Sequence, residues 1–286
     1  MEKITMGEPK SVTELRDADR LGILSGVFET TNPDYHAGPG LSYSGLKEFS
    51  ISPAHYQAYL TEPREQTASQ LVGELFHMRT LERERFDRMV SKVDNRQTKE
   101  NKAIIAEKEA AGGIVCTSKE YEKVCRMSDA VLAHPFASSL LIHPQGQNEV
   151  SVFSQDPLTG ITLKCRPDRL IQTERFIVCD LKYYSDLSEN GIRSQIRRMK
   201  YHWQAAFYLH VCGLVFNRIS NLFCNIFVED KAPFAVRVVV LDDASLERAY
   251  AEIMPLLEKF SECQKLGVWP AFEDGVFTTS LPDLNW

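Results

Sequence analysis

The spacing of apolar positions divides the chain into a helical first half and a strand-rich second half. Residues 42–134 read as helical. Ser52-Pro53 opens a short helix running through residue 60, a serine cap followed by proline in the first turn. A second helix is expected over 67–80, with Leu71, Val72, Leu75 and Met78 on its apolar side. Residues 94–113 are charged and alanine-rich and end in Gly112-Gly113, which suits an exposed helix or a mobile excursion. Thr117-Ser118-Lys119-Glu120 has the spacing of a capping box for a helix reaching about residue 133.

From residue 148 the period changes to two. Strands are expected over 149–154, 161–171 and 176–183, separated by turns at 156–160 and 172–175. A long helix over 188–213 follows, then strands over 221–228 and 235–241 and a final helix over 244–266. The tail contains Trp269-Pro270 and Leu281-Pro282. Residues 1–40 read as a partly irregular N-terminal extension, with turn signals at Asn32-Pro33 and Gly38-Pro39-Gly40. Residues 41–286 then form one α/β domain, a helical layer over 41–147 and a sheet with helices over 148–286.

Alternation along 161–171 sets Ile161, Leu163 and Cys165 on one face and Lys164, Arg166 and Asp168 on the other. Asp180 and Lys182 share a face of the next strand, while Ile177, Cys179 and Leu181 point into apolar packing. An antiparallel hairpin pairing Ile171 with Phe176 brings Asp168 opposite Cys179 or Asp180. The same count across the 156–160 turn brings Glu149 near Pro167 or Asp168. Three carboxylates from adjacent strands would repel one another unless a cation neutralised them. Oxygen-rich donors suit Mg²⁺, with Mn²⁺ as a substitute. Lys182 adds an ammonium beside them, a group that can orient water and meet negative charge at phosphorus. By itself, Asp-x-Lys on a strand is more often a surface ion pair; the convergence of Asp168 and Glu149 gives it weight.

In the expected 188–213 helix, Arg193, Arg197, Lys200, Gln204 and Tyr208 follow steps of three and four. One face would therefore carry a basic stripe for phosphates, ending in Gln and Tyr near the scissile group, with Arg166 as a further DNA contact. A charge run of this kind is usually a solvated face, but Gln and Tyr prolong this one. His77 is a lone helical histidine with Glu74 one turn earlier as a candidate partner.

The net charge of −6 excludes a protein that coats nucleic acid with a generally basic surface, so phosphates need a local basic face. Seven cysteines, an odd number at wide spacings without C-x-x-C, read as buried free thiols, and no iron–sulfur cluster is expected. With no apolar run long enough to span a bilayer and no signal-peptide pattern at residues 1–10, a soluble cytoplasmic protein without membrane partners is expected.

Four motifs then fall in order: Gly-Glu-Leu-Phe-His at 73–77, Lys-Cys-Arg-Pro-Asp at 164–168, Asp-Leu-Lys at 180–182 and Gln-Ala-Ala-Phe-Tyr at 204–208. Together they resemble the RecB-like branch of the PD-(D/E)-x-K nucleases, and within it the RecE-type exonucleases of phages and prophages. Tyr35-His36-Ala37, Leu41-Ser42-Tyr43-Ser44, Ser52-Pro53-Ala54-His55-Tyr56 and Trp269-Pro270 extend the resemblance over about residues 26–286. It implies a central mixed sheet flanked by helices, with a helical N-terminal layer. It also implies His77, Asp168 and Asp180 as metal ligands, Glu149 as a further candidate ligand, Lys182 as the catalytic lysine, and Gln204 and Tyr208 beside the substrate. Asp180 stands where a glutamate is commoner. RecE-type enzymes degrade linear double-stranded DNA from 5′ ends, leaving 3′ single strands for an annealing recombinase, and some form tetrameric rings. An exonuclease of this kind, a closed homo-oligomer, is the resulting expectation. The alternatives are a nuclease of other polarity or endonucleolytic action, and a non-catalytic DNA-binding or recombinase-recruiting protein.

Overall fold

Both helix caps read from the first half of the sequence are formed in the computed structural model. It describes residues 9–20, 24–63, 65–220 and 222–272, with 275, 276 and 278. Leu281-Pro282 lies outside the described residues. The first half runs α1 (Val12–Arg20), β1 (Gly26–Phe28), α2 (Asn32–Ala37), β2 (Leu41–Ser42), α3 (Tyr43–Phe49), α4 (Pro53–Thr61) and α5 (Ala68–Leu81). It continues with α6 (Arg83–Met89), β3 (Val90–Val93), α7 (Lys99–Ala110), β4 (Ile114–Thr117), α8 (Ser118–Ala133) and α9 (Pro135–Leu141). Ser52 accepts the His55 N–H at the start of α4, and Thr117 with Glu120 closes a capping box on α8. The charged segment forms α7, which buries no residue, between the paired strands β3 and β4.

The second half comprises β5 (Gly146–Asn148), β6 (Ser151–Gln155), β7 (Thr162–Cys165), β8 (Arg169–Gln172) and β9 (Phe176–Tyr184). Then come α10 (Glu189–Met199), α11 (Tyr201–Phe216), β10 (Phe223–Glu229), β11 (Val236–Val240) and α12 (Asp243–Leu266). A five-stranded mixed sheet has the order β11-β10-β9-β8-β5, in which only β9 and β10 are parallel. That parallel pair needs the helical crossover that α10 and α11 provide. A four-stranded sheet, β1-β6-β7-β2, stands beside it.

Two expectations are corrected here, both at breaks that side-chain periodicity does not reveal. The strand expected over 161–171 is two strands, β7 and β8, in different sheets. Pro167 lacks an N–H and cannot continue a ladder, and the chain changes sheet at Arg166-Pro167-Asp168. Its partner does the same: β5 and β6 lie in different sheets, and the switch falls at Glu149, whose φ of 53° is left-handed. The Glu149 N–H donates to the Asp168 carbonyl at 3.1 Å, joining the two switch points. The helix expected over 188–213 is likewise two helices, divided at Lys200, whose φ of 56° is left-handed.

The 172–175 turn pairs Ile171 with Ile177 rather than with Phe176, so extending the register sets Asp168 opposite Asp180. The strands also begin ahead of residue 41, because β1 pairs with β6 and Tyr35 of α2 packs on Phe153.

One face of the five-stranded sheet, through Ile171, Cys179, Leu181, Cys224, Ile226 and Val228, packs on α5, α8 and α9. The other, through Leu170, Phe176, Val178 and Phe223, packs on α11 and α12. Burying both faces accounts for the nearly continuous apolar run of β10.

Candidate active site

The two sheet-switch points lie beside the middle of β9, and their side chains belong to neither sheet's apolar face. Asp168, nearly buried, directs Oδ2 at the Leu181 N–H (2.5 Å) and Oδ1 at Nδ1 of His77 (3.2 Å). His77 arrives from α5, and its Nε2 stands 3.0 Å from the Leu181 carbonyl oxygen. Its partner is therefore Asp168, not Glu74, whose carboxylate accepts from Gln66 at 2.7 Å. Ligand atoms of His77, Glu149 and Asp168 all lie within 4.8 Å of one another, the one such cluster among the described residues.

Asp180 and Lys182 point to the α11 side of β9. The Lys182 ammonium forms an ion pair with Asp180 Oδ2 and lies 4.7 Å from the centre of the Tyr201 ring. Asp180 Oδ1 accepts from the Gln204 amide at 2.7 Å. Tyr208, one turn further along α11, lines a cavity of about 280 Å³ together with His77, Glu149, Asp168, Tyr35 and Tyr43. Lys182 lines a second cavity, and His77 borders both.

Burial dominates the electrostatics, and each of the three carboxylates faces one cationic partner. Burial works against the His77 imidazolium, but the charge and hydrogen bond of Asp168, with Glu149, hold its pKa up at about 9. Burial and then Asp168 push Glu149 up to about 7, against His77 and Arg166. Burial raises Asp180 as well, with Lys182 opposing. Burial would also raise Asp168, yet His77, Lys182 and the Leu181 N–H hold it below the ordinary carboxylate range. Lys182 resists its own burial chiefly through Asp180 and stays above an ordinary lysine. Tyr208 is raised by burial, so it is a neutral phenol.

This donor set fits a divalent cation. Besides burial, Asp168 raises both Glu149 and Asp180, as crowded carboxylates do. His77, Arg166 and Lys182 carry the balancing charge, and a divalent cation could take the place of the His77 proton. His77, Asp168 and Asp180 could hold such an ion with Glu149. The Leu181 carbonyl, 3.0 Å from His77 Nε2, is a further oxygen beside the histidine, and sequence reasoning missed it, since a main-chain group leaves no mark in residue type.

The expected DNA contacts divide. Arg193 and Arg197 are exposed on α10. Lys200 is half-buried, its ammonium donating to Ser50 Oγ (3.0 Å) and lying 3.9 Å from the centre of the Trp203 ring. Arg166 is turned inward: Nε donates to Glu149 (3.0 Å), and Nη1 to Ser151 Oγ (2.8 Å) and the Thr30 carbonyl (3.1 Å). These contacts make Arg166 a clamp on Glu149 at the wall of the same cavity. Gln204 and Tyr208 are buried, so the five residues form no common stripe. Lys164, on the same strand face as Arg166, donates to the carbonyls of Tyr35, His36 and Gly38 and ties α2 to β7.

Acid, acid and lysine brought together beside the middle of β9 by a sheet-switching hairpin match a PD-(D/E)-x-K arrangement. The family described as PDDEXK-like domain of unknown function (DUF3799) matches residues 42–274, and the chain belongs to it. The fold is similar to that of a candidate exonuclease from Eubacterium rectale, with a TM-score of 0.59 at 15% identity over 89% of this chain and 97% of that one. A second solved protein, SSO0001, aligns at 13% identity over 66% of this chain and 88% of that one, with a TM-score of 0.28 too low to bear on the fold. No curated protein matches the chain in sequence. The PDDEXK-like family supports a nuclease, and no helix among the described residues is long and apolar enough to cross a membrane.

Proposed function

We propose that the protein is a Mg²⁺-dependent exonuclease that hydrolyses linear double-stranded DNA from 5′ ends, leaving 3′ single strands for an annealing recombinase. The observation that carries the reading is the meeting of His77, Glu149 and Asp168 within 4.8 Å, beside the Asp180–Lys182 ion pair. His77, Asp168 and Asp180, with Glu149, would hold the ion, and the oxygen-rich set favours Mg²⁺ or Mn²⁺. A bound divalent cation neutralises phosphoryl oxygens and acidifies water.

The chain's own residues do the rest. Lys182, kept cationic by Asp180, orients the attacking water and meets the charge that grows at phosphorus. Gln204 fixes the rotamer of Asp180, and Arg166 fixes Glu149. Tyr208, a neutral phenol, offers a hydrogen bond to the strand in the cavity. Arg193 and Arg197 on α10 take phosphates further along.

The resemblance to RecE-type enzymes and the net charge of −6 also favour a closed homo-oligomer, a tetrameric ring that turns copies of one basic face inward. An end-labelled linear duplex digested with Mg²⁺ beside closed circular DNA tests the activity, and light scattering tests the assembly. Early loss of the 5′ label, an intact circle and a tetramer mass are expected. Loss from 3′ ends reverses the polarity, cut circles make the protein an endonuclease, and a monomer removes the ring. Absence of metal-dependent hydrolysis of any DNA sinks the whole reading.

A further inference from the structure

Asn225 lies in the middle of β10, fully buried, and neither its Oδ1 nor its Nδ2 has a hydrogen-bond partner. Valine or isoleucine is the ordinary choice at such a position, and burying an unpaired amide is unfavourable. Its surroundings suggest why the amide is there. β10 runs parallel to β9 with Asn225 registered on Asp180. Alternation sets Asn225 on the face of Phe223 and Phe227. The Phe223 ring packs against Tyr208 (centroids 6.1 Å apart) and the Phe227 ring against Tyr201 (6.2 Å). Asn225 therefore lies beneath the stretch of α11 that carries Gln204, alongside the carboxylate that Gln204 holds.

We infer that Asn225 is a positioning residue for Asp180, resting on the metal-site reading above. Asp180 is held by Gln204 at Oδ1 and by Lys182 at Oδ2 as an ion pair, Oδ2 has no hydrogen-bond donor, and Asn225 is idle. Turning the carboxylate toward a divalent cation breaks at least one of those contacts. The Asn225 Nδ2 is the donor registered on Asp180 from the neighbouring strand, paired strands lying about 4.8 Å apart. It takes up the carboxylate while Oδ1 accepts from the Gln204 amide. A Gln204–Asp180–Asn225 network closes, and the two orphaned atoms are satisfied only in the cation-bound state.

Asn225→Thr and Asn225→Val have the same shape and differ in one hydroxyl donor, so together they separate hydrogen bonding from packing. Mn²⁺ binding by calorimetry, Tm without metal, and kcat and KM on DNA are measured for both. Asn225→Val is expected to raise the metal-free Tm by roughly 2 °C, weaken Mn²⁺ binding about tenfold and lower kcat rather than raise KM. Asn225→Thr is expected to recover most of the Mn²⁺ affinity. Equal affinities for the two variants, or wild-type affinity in Asn225→Val, would overturn the inference. So would unfolding of Asn225→Val without metal, since the amide would then be holding the core together. Asp180→Asn in the same experiment keeps the two levels apart. If it binds Mn²⁺ as tightly as the wild type, the metal-site reading fails; if only Asp180→Asn loses affinity, the role of Asn225 alone is removed.

Discussion

α10 and α11 follow each other with a single residue between them, yet they face opposite environments. α10 buries Gly191, Ile192 and Gln195 and leaves Arg193 and Arg197 in solvent. α11 is buried from Trp203 through Leu209 and again at Val211 and Cys212, and its polar members Gln204 and Tyr208 point into the candidate site. The difference originates at Lys200, whose left-handed backbone redirects the chain. At the break the Met199 and Lys200 carbonyls accept from the Tyr43 hydroxyl at 2.8 and 3.0 Å, and that of Lys200 also accepts the Trp203 and Gln204 N–H groups. A stripe read at steps of three and four thus splits into a solvated half, where charge is inexpensive, and a buried half, where each polar group needs a partner.

The comparison breaks hardest at the buried half. Asp180→Ala and Lys182→Ala should each lower metal-dependent hydrolysis about a thousandfold or more with the fold retained. Gln204→Ala, which leaves Asp180 Oδ1 without its donor, should cost about ten- to hundredfold, since a hydrogen bond to a charged group is worth roughly 1.5–3 kcal/mol. Initial rates on a linear duplex, with circular dichroism as the check on folding, measure all three. Near-normal activity in Asp180→Ala or Lys182→Ala would remove the site assignment. Near-normal activity in Gln204→Ala alone would make α11 mere packing.

What was legible in the sequence follows the same division. Caps announce themselves through side chains, so Ser52 and Thr117 could be read directly. The apolar faces of β9 fixed the shared face of Asp180 and Lys182, and counting across turns brought Glu149 to Asp168. Of the two breaks only one left a mark in residue type, Pro167. Residues 161–171 alternate through Pro167 as if in one strand, and 188–213 keep helical spacing through Lys200, because periodicity reports side-chain faces and not main-chain direction. Partners were equally hidden: Glu74 is His77's neighbour in sequence, while Asp168, 91 positions further on, is its partner in space. Asn225 gave no signal, since one polar residue in an apolar strand acquires meaning only when its register with Asp180 is known.

The junction sharpens the comparison at intermediate size. Tyr43→Phe removes the hydroxyl that serves the Met199 and Lys200 carbonyls and nothing else of the ring's shape. The half-buried Met199 carbonyl loses its donor, while that of Lys200 keeps the Trp203 and Gln204 N–H groups, so the expected destabilisation is about 1 kcal/mol. That corresponds to a fall in Tm of about 2–4 °C. Activity should fall as well, by up to about tenfold, because the direction in which α11 leaves Lys200 sets where Gln204 meets Asp180. Scanning calorimetry and initial rates report the two effects. An unchanged Tm would mean that the break is held by Lys200 itself.

The smallest effect belongs to the solvated half. Arg193 is 71% exposed, and its pairing with Glu189 at 3.4 Å on the helix surface contributes little to stability. Arg197 sits in the last turn of α10, where a cation gains a few tenths of a kcal/mol from the helix dipole. Replacing both by alanine should therefore leave Tm within about 1 °C. If both side chains contact phosphates, each substitution removes one counterion-releasing contact. DNA affinity should then drop several-fold at low salt, and the slope of log affinity against log salt should shrink by about one unit per residue. Hydrolysis at saturating DNA should stay near that of the wild type, because neither arginine approaches Asp168, Asp180 or Lys182. Fluorescence anisotropy on a labelled duplex across a salt series gives both quantities. An unchanged slope would leave α10 an ordinary solvated face and move the DNA track elsewhere, while a loss of turnover at saturation would place α10 nearer the chemistry than its exposure suggests.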